Sequence, residues 1–96
     1  MKEILKKLNK AFENKVRLGI MSALMVNDTV DFTSLKELLG LTDGNLASHL
    51  KALEKAEYIT YEKSFVGRKP KTTYRATALG KQAFKAHVKA IEELLK

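Results

Sequence analysis

The chain has 96 residues, with 18 Lys and Arg against 11 Asp and Glu, two His and no Cys. That length implies a single domain over residues 1–96, without room for a separate ligand-binding domain. The missing Cys excludes disulfides, Cys-based zinc sites and thiol redox sensing. The formal net charge of +7 is uneven: residues 1–48 carry seven cations and six anions, whereas residues 49–96 carry eleven and five. A basic second half favours a polyanionic partner.

The first predicted element is a helix over about residues 2–26, bent near Asn14 and Gly19. Ile4, Leu5, Leu8, Ala11 and Phe12 recur at helical spacing, followed by Val16, Ile20, Ala23 and Leu24. The start of the chain is charged and amphipathic, without the long apolar run of a signal peptide, and no stretch approaches a membrane span. A cytoplasmic protein without a membrane partner is therefore expected. Asn27-Asp28-Thr29 ends the helix with turn chemistry, and Val30-Asp31-Phe32 reads as a short extended segment.

A short helix follows over Ser34–Leu39, with Thr33 as the expected N-cap and Gly40 as its stop. Leu41 and Thr42 turn the chain into a second helix, Asp43–Lys55, capped by Thr42. At about 100° per residue, Leu46, Leu50 and Leu53 fall on one side of it. Gly44, Ser48, Lys51 and Lys55 fall on the other, with Asn45, Ala52 and His49 at the flank. Small and hydrogen-bonding residues on an outward face suit entry into a major groove, where bulky side chains would hold the backbone away. The amides freed at the Thr42 end suit a phosphate, and Asp43 complements the helix dipole.

Two extended runs come next, Tyr58–Phe65 and Thr72–Ala76, joined by the basic turn Val66-Gly67-Arg68-Lys69-Pro70-Lys71. Arg68, Lys69 and Lys71 crowd a projecting hairpin tip, with Lys63 and Arg75 on its arms. Such cations make phosphate contacts, and Arg68 has the reach to enter a minor groove. A last helix is expected over about residues 78–95. Its apolar residues form two stripes, Leu79, Ala83, Ala86, Ala90, Leu94 and Phe84, Val88, Ile91, Leu95. More apolar surface is present than one small core covers. A two-fold homodimer is therefore expected, with Ile4, Leu5, Leu8, Phe12, Phe84, Val88, Ile91, Leu94 and Leu95 at its contact.

Two histidines, one in each half and without Cys, do not make a recognisable metal site. His49 is read as a DNA-facing or boundary residue and His87 as lying beside the subunit contact. No phosphate-binding Gly-rich loop, no nucleophile with its base and no acid–base carboxylate pair appears. The expectation is a protein that is not an enzyme, with no cofactor, no metal and no evident small-molecule effector.

Helix, tight turn, helix and basic hairpin, at about residues 34–55 and 58–76, are the order of a helix-turn-helix followed by a wing. The stretch Asp43-Gly44-Asn45-Leu46-Ala47-Ser48-His49-Leu50-Lys51-Ala52-Leu53-Glu54 resembles the winged helix-turn-helix transcriptional regulators of the MarR/ArsR type. So do Gly67-Arg68-Lys69-Pro70-Lys71-Thr72 and Thr77-Ala78-Leu79-Gly80. More narrowly, the chain resembles the small stand-alone winged helix DNA-binding domain proteins of prokaryotes. The resemblance implies a mainly α fold with a small β wing. A three-helical core and β-hairpin would carry extra N- and C-terminal dimerisation helices.

It also implies a sequence-specific regulator that binds double-stranded DNA as a homodimer. Thr42, Gly44, Asn45, Ser48, His49, Lys51 and Lys55 would lie in or beside the major groove, and Arg68, Lys69 and Lys71 on the backbone or minor groove. Two positions depart from the pattern. Glu57 stands where a glycine usually follows the reading helix, and a left-handed cap there costs on the order of 1 kcal/mol. Ala76 stands where a Leu usually precedes the Thr-x-x-Gly motif. The alternative reading is a winged-helix protein-interaction module of a larger assembly, without sequence-specific DNA binding.

Overall fold

Two asparagines decide how the chain begins. The computed structural model describes residues 1–96, and the expected long first helix arrives in three pieces. These are α1 (Lys2–Lys6), a 3-10 turn (Lys10–Phe12) and α2 (Lys15–Val26). Asn9 Oδ1 accepts from the amide of Ala11 at 2.9 Å. Asn14 Oδ1 accepts from Val16 at 2.9 Å and Arg17 at 3.2 Å. Each side chain satisfies amides that an unbroken helix would have bonded to earlier carbonyls, so each restarts the helix. Gly19, by contrast, sits inside continuous α2. A Cβ there would meet Leu39 Cδ2 at 2.9 Å, so this glycine serves the approach of the next helix rather than a bend.

The extended segment closes to β1 (Val30–Asp31), and α3 (Phe32–Leu39) begins two residues earlier than Ser34. Asp31, not Thr33, is its cap. The Asp31 carboxylate accepts from the Ser34 amide at 3.2 Å and from the Ser34 hydroxyl at 2.7 Å. A carboxylate on the first free amides also complements the helix dipole. The Ser34 hydroxyl, foremost, holds the Asp31 carboxyl below its ordinary pKa.

The two helices of the helix-turn-helix end alike. After α3, Gly40 has φ 64°, with its amide donating to Glu37 O at 3.3 Å and that of Leu41 to Lys36 O at 3.1 Å. After α4 (Asp43–Lys55), Glu57 has φ 65°, with its amide donating to Glu54 O at 2.9 Å and that of Tyr58 to Leu53 O at 3.0 Å. Both are Schellman closures, which need one left-handed residue. Glycine supplies it freely at the first; at the second a residue with a Cβ is held there. Glu57→Gly should therefore raise stability by about 0.5–1 kcal/mol, after allowing for the greater chain entropy of glycine. Urea titration of the two proteins checks the sign.

The wing is tighter than expected. β2 (Ile59–Val66) and β3 (Lys69–Ala76) pair along their full length from Ile59↔Ala76 to Val66↔Lys69, leaving only Gly67 and Arg68 as the loop. Gly67 has φ 65° and Arg68 does not share that region, the pattern of a type II′ turn, whose twist suits paired strands. β1 adds to the other edge of β3, giving the order β1-β3-β2. The last helix, α5, spans Ala78–Leu94.

The core joins all of these. Phe12, Ile20, Met21, Leu24, Leu35, Leu46, Leu50 and Leu53 are almost fully buried, with Ile59, Tyr74, Ala76 and Phe84 around them. Two residues expected at a subunit contact are thus core residues. The rings of Phe12 and Phe84 meet edge to face at 5.3 Å, because the 3-10 turn swings Phe12 inward over α5. The two stripes of α5 also divide differently. Gly80, Phe84, His87 and Ala90 face in, while Leu79, Val88, Ile91 and Leu95 remain exposed. No helix is long and apolar enough to cross a membrane.

Candidate nucleic-acid interface

Thr42 opens α4, accepting from the Asn45 amide at 3.2 Å. Asp43, beside it, is paired at 2.8 Å with Lys36 of α3. This bridge spans the turn between the helices and neutralises the one carboxylate at this end of α4. Exposed pairs of this kind add little stability. Its effect is on the field: the end of α4 presents free amides without an uncompensated anion.

The apolar side of α4 is closed by Leu46, Leu50 and Leu53, all buried. That leaves Thr42, Gly44, Asn45, Ser48, Lys51 and Lys55 exposed together, as helical geometry requires. No large apolar side chain interrupts this face. Ala47, Lys51 and Glu54 turn toward the wing, where they line a groove of about 290 Å³ with Tyr61, Lys63, Thr72 and Tyr74.

The register of the hairpin explains why. Side chains alternate along a strand, so the pairs Tyr61–Tyr74, Lys63–Thr72 and Phe65–Pro70 share the face of buried Ile59. Tyr61 and Tyr74 pack with ring centroids 6.1 Å apart, and Lys63 Nζ lies 5.9 Å from the Tyr61 ring centre. Burial above all, then the Glu54 carboxylate, raises the Tyr74 hydroxyl pKa, so the phenol stays a neutral partner. Lys69 and Lys71 point to the opposite face, with Arg68 in the turn. The cations of the wing therefore surround its tip instead of lining one side. Between α4 and the arms of the wing the groove carries the cations Lys51 and Lys63, the hydroxyls of Thr72 and the two tyrosines, and one carboxylate, Glu54.

His49 is placed differently from its neighbours. It is half-buried, and its Nδ1 lies 3.2 Å from Nη1 of Arg17. Burial first, then the Arg17 charge, hold the imidazole pKa below its ordinary value. Arg17 is a residue that sequence reasoning missed, since its partner is 32 positions away and no local pattern joins them. His87 takes no part in this surface, being buried. It lies on α5, where its Nδ1 accepts from the Asn9 amide at 2.9 Å. Asn9 in turn donates through Nδ2 to the Tyr58 hydroxyl at 3.0 Å. This histidine is a structural acceptor that ties the chain's beginning to its last helix.

Residues 16–95 match the winged helix DNA-binding domain family. An uncharacterized protein of Methanocaldococcus jannaschii is 39% identical over 87 residues, covering 91% of this chain and 95% of its own length. Among solved structures, a transcriptional regulator homologue from Pyrococcus horikoshii superposes with a TM-score of 0.86 at 32% identity. The match covers 98% of this chain and 91% of that one. A MarR-like transcription regulator from Bacillus cereus shares the fold, with a TM-score of 0.73 at 22% identity over 99% of this chain and 70% of that one.

Proposed function

The chain belongs to the winged helix DNA-binding domain family, and from that membership we propose that it is a sequence-specific transcriptional regulator that binds double-stranded DNA as a homodimer. The observation that carries the reading is the continuity of one surface. The α4 helix and the arms of the wing line a common groove, with Lys51 on one wall and Lys63 on the other, and the cationic tip projects from the same hairpin, so a single duplex engages both elements. In this reading Asn45 and Ser48 choose bases in the major groove, with Gly44 allowing close approach, and Thr42, Lys51 and Lys55 aid the approach to phosphate. Arg68, Lys69 and Lys71 supply mainly sequence-independent affinity.

Dimerisation is supported by what α5 leaves uncovered. Val88, Ile91 and Leu95, spaced along one side of the helix, are 36%, 37% and 82% exposed, and Leu5 of α1 is 52% exposed. Ile4, Leu8 and Leu94 are half-buried beside them. A two-fold axis there buries each patch against its copy. It also sets two reading helices about one turn of DNA apart, roughly 34 Å, so the preferred site is an inverted repeat.

Anisotropy of a labelled duplex, followed across salt, tests the DNA reading. Log affinity should fall linearly with log salt, and Arg68→Ala with Lys69→Ala should lower the slope by about 0.9 for each phosphate that is no longer neutralised. A shallow slope that the double variant leaves unchanged supports a protein-interaction module instead. Sedimentation at micromolar concentration should give twice the chain mass, and Val88→Glu with Ile91→Glu should give the monomer. A wild-type monomer removes both the dimer and the inverted repeat.

A further inference from the structure

We propose that Arg17 is a positioning residue that fixes the tautomer of His49. Together the two side chains form a second phosphate contact, on the side of α4 opposite the wing. The proposal rests on the DNA-binding reading above and assigns it a site that neither α4 nor the wing supplies alone.

The geometry begins at the break before α2. Arg17 Nε donates to the carbonyl of Ala11 at 2.7 Å, so the guanidinium is held by the backbone of the 3-10 turn rather than swinging free. Its Nη1 then stands 3.2 Å from His49 Nδ1. A guanidinium has five N–H donors, no acceptor, and does not lose its proton in proteins. The Nδ1 atom must therefore accept. That makes the imidazole neutral, with its remaining proton on Nε2, the ring atom turned away from Arg17.

Position on the helix gives this donor its target. At about 100° per residue, His49 and Asn45 lie on one flank of α4, and Ala47 and Glu54, which line the wing groove, on the other. The reading helix is thus bracketed, with the wing on one side and Arg17–His49 on the other. A helix about 10–12 Å across fills a major groove about 12 Å wide. Its two flanks then meet the two sugar-phosphate strands. Phosphate oxygens only accept hydrogen bonds, and the Nε2–H of His49 and the remaining guanidinium N–H groups only donate. The wing contacts one strand, and this pair contacts the other.

A purely structural tie between α2 and α4 predicts the same distances, so the test reads the tautomer and the charge separately. The probe is a labelled mixed-sequence duplex of about 30 base pairs, titrated at neutral pH across about 50–200 mM salt, where nonspecific affinity reports phosphate contacts. Long-range proton–nitrogen NMR of the free protein should show His49 as the Nε2–H tautomer, and Arg17→Gln should mix the two tautomers. Arg17→Gln should weaken duplex binding about tenfold and lower the salt slope by about 0.9. His49→Gln should weaken it about fivefold with the slope unchanged, because the ring carries no charge. Arg17→Lys should restore the slope but not the single tautomer, since an ammonium lacks the fork. Its folding, with that of His49→Gln, keeps the test open if Arg17→Gln unfolds.

An Arg17→Gln protein with wild-type slope, or a wild-type His49 that is charged or protonated on Nδ1, overturns the proposal and leaves the DNA-binding reading intact. A wild-type protein that fails to bind the duplex at low salt removes both.

Discussion

Replacing Gly80 with alanine should cost about 3 kcal/mol or more and lower the melting temperature by about 10–20 °C. A Cβ on Gly80 would stand 2.8 Å from the carbonyl carbon of Tyr58 and 2.9 Å from its Cα, and closer still to the carbonyl oxygen. These are backbone atoms, without a rotamer to yield. They are also committed: Tyr58 O accepts from the Thr77 amide at 3.0 Å. Thr77 Oγ1 accepts from the Gly80 amide at 2.9 Å and donates to Glu57 O at 2.7 Å. Thr77 and Gly80 thus form one clasp around the left-handed turn after α4. The sign of the effect is diagnostic. In an open first helical turn, alanine would stabilise by up to about 1 kcal/mol relative to glycine. A calorimetric scan showing no destabilisation would mean that α5 does not approach Tyr58 this closely.

Ser48→Glu should weaken DNA binding by about 100-fold or more while leaving the melting temperature within a degree or two of wild type. Ser48 is exposed in the middle of the polar face of α4, and helix propensities of serine and glutamate differ by only tenths of a kcal/mol. The introduced carboxylate meets phosphates and base acceptors across the groove, where like-charge contact costs several kcal/mol. Anisotropy and circular dichroism on the same sample check both halves. An unfolded variant would mean that Ser48 faces the core, and full-affinity binding that α4 is not the reading element.

The helix-turn-helix was legible because its determinants are local. Gly40 and Thr42 stand within a few residues of the helix ends they shape, and Leu46, Leu50 and Leu53 declare one face by spacing alone. The strained turn at Glu57 was legible too, by contrast with the glycine expected there. The beginning of the chain was not. Ile4, Leu5, Leu8, Ala11 and Phe12 keep helical spacing through a segment that Asn9 and Asn14 break, so periodicity and capping conflict and capping wins. Asp31 takes over from Thr33 because a carboxylate bonds both the amide and the hydroxyl of Ser34. The candidate interface divides the same way. Its α4 face follows from spacing and its wing from composition. Arg17–His49 and Asn9–His87 are contacts across 32 and 78 positions, which only the folded chain brings together.

The clasp at Thr77 has a consequence for spacing in the proposed dimer. It joins the turn after α4 to the start of α5 through Glu57, Tyr58 and Gly80, and α5 carries the surface proposed for the dimer contact. The proposed reading helix and the proposed dimer contact are therefore two ends of one limb, with no slack segment between them. A pair of such limbs works as a caliper set to one opening. Adding one base pair at the centre of an inverted repeat moves a half-site by about 3.4 Å and turns it by about 35°. Without a hinge to follow that turn, the second half-site drops out of register, so the proposed dimer reads the length of the spacer as well.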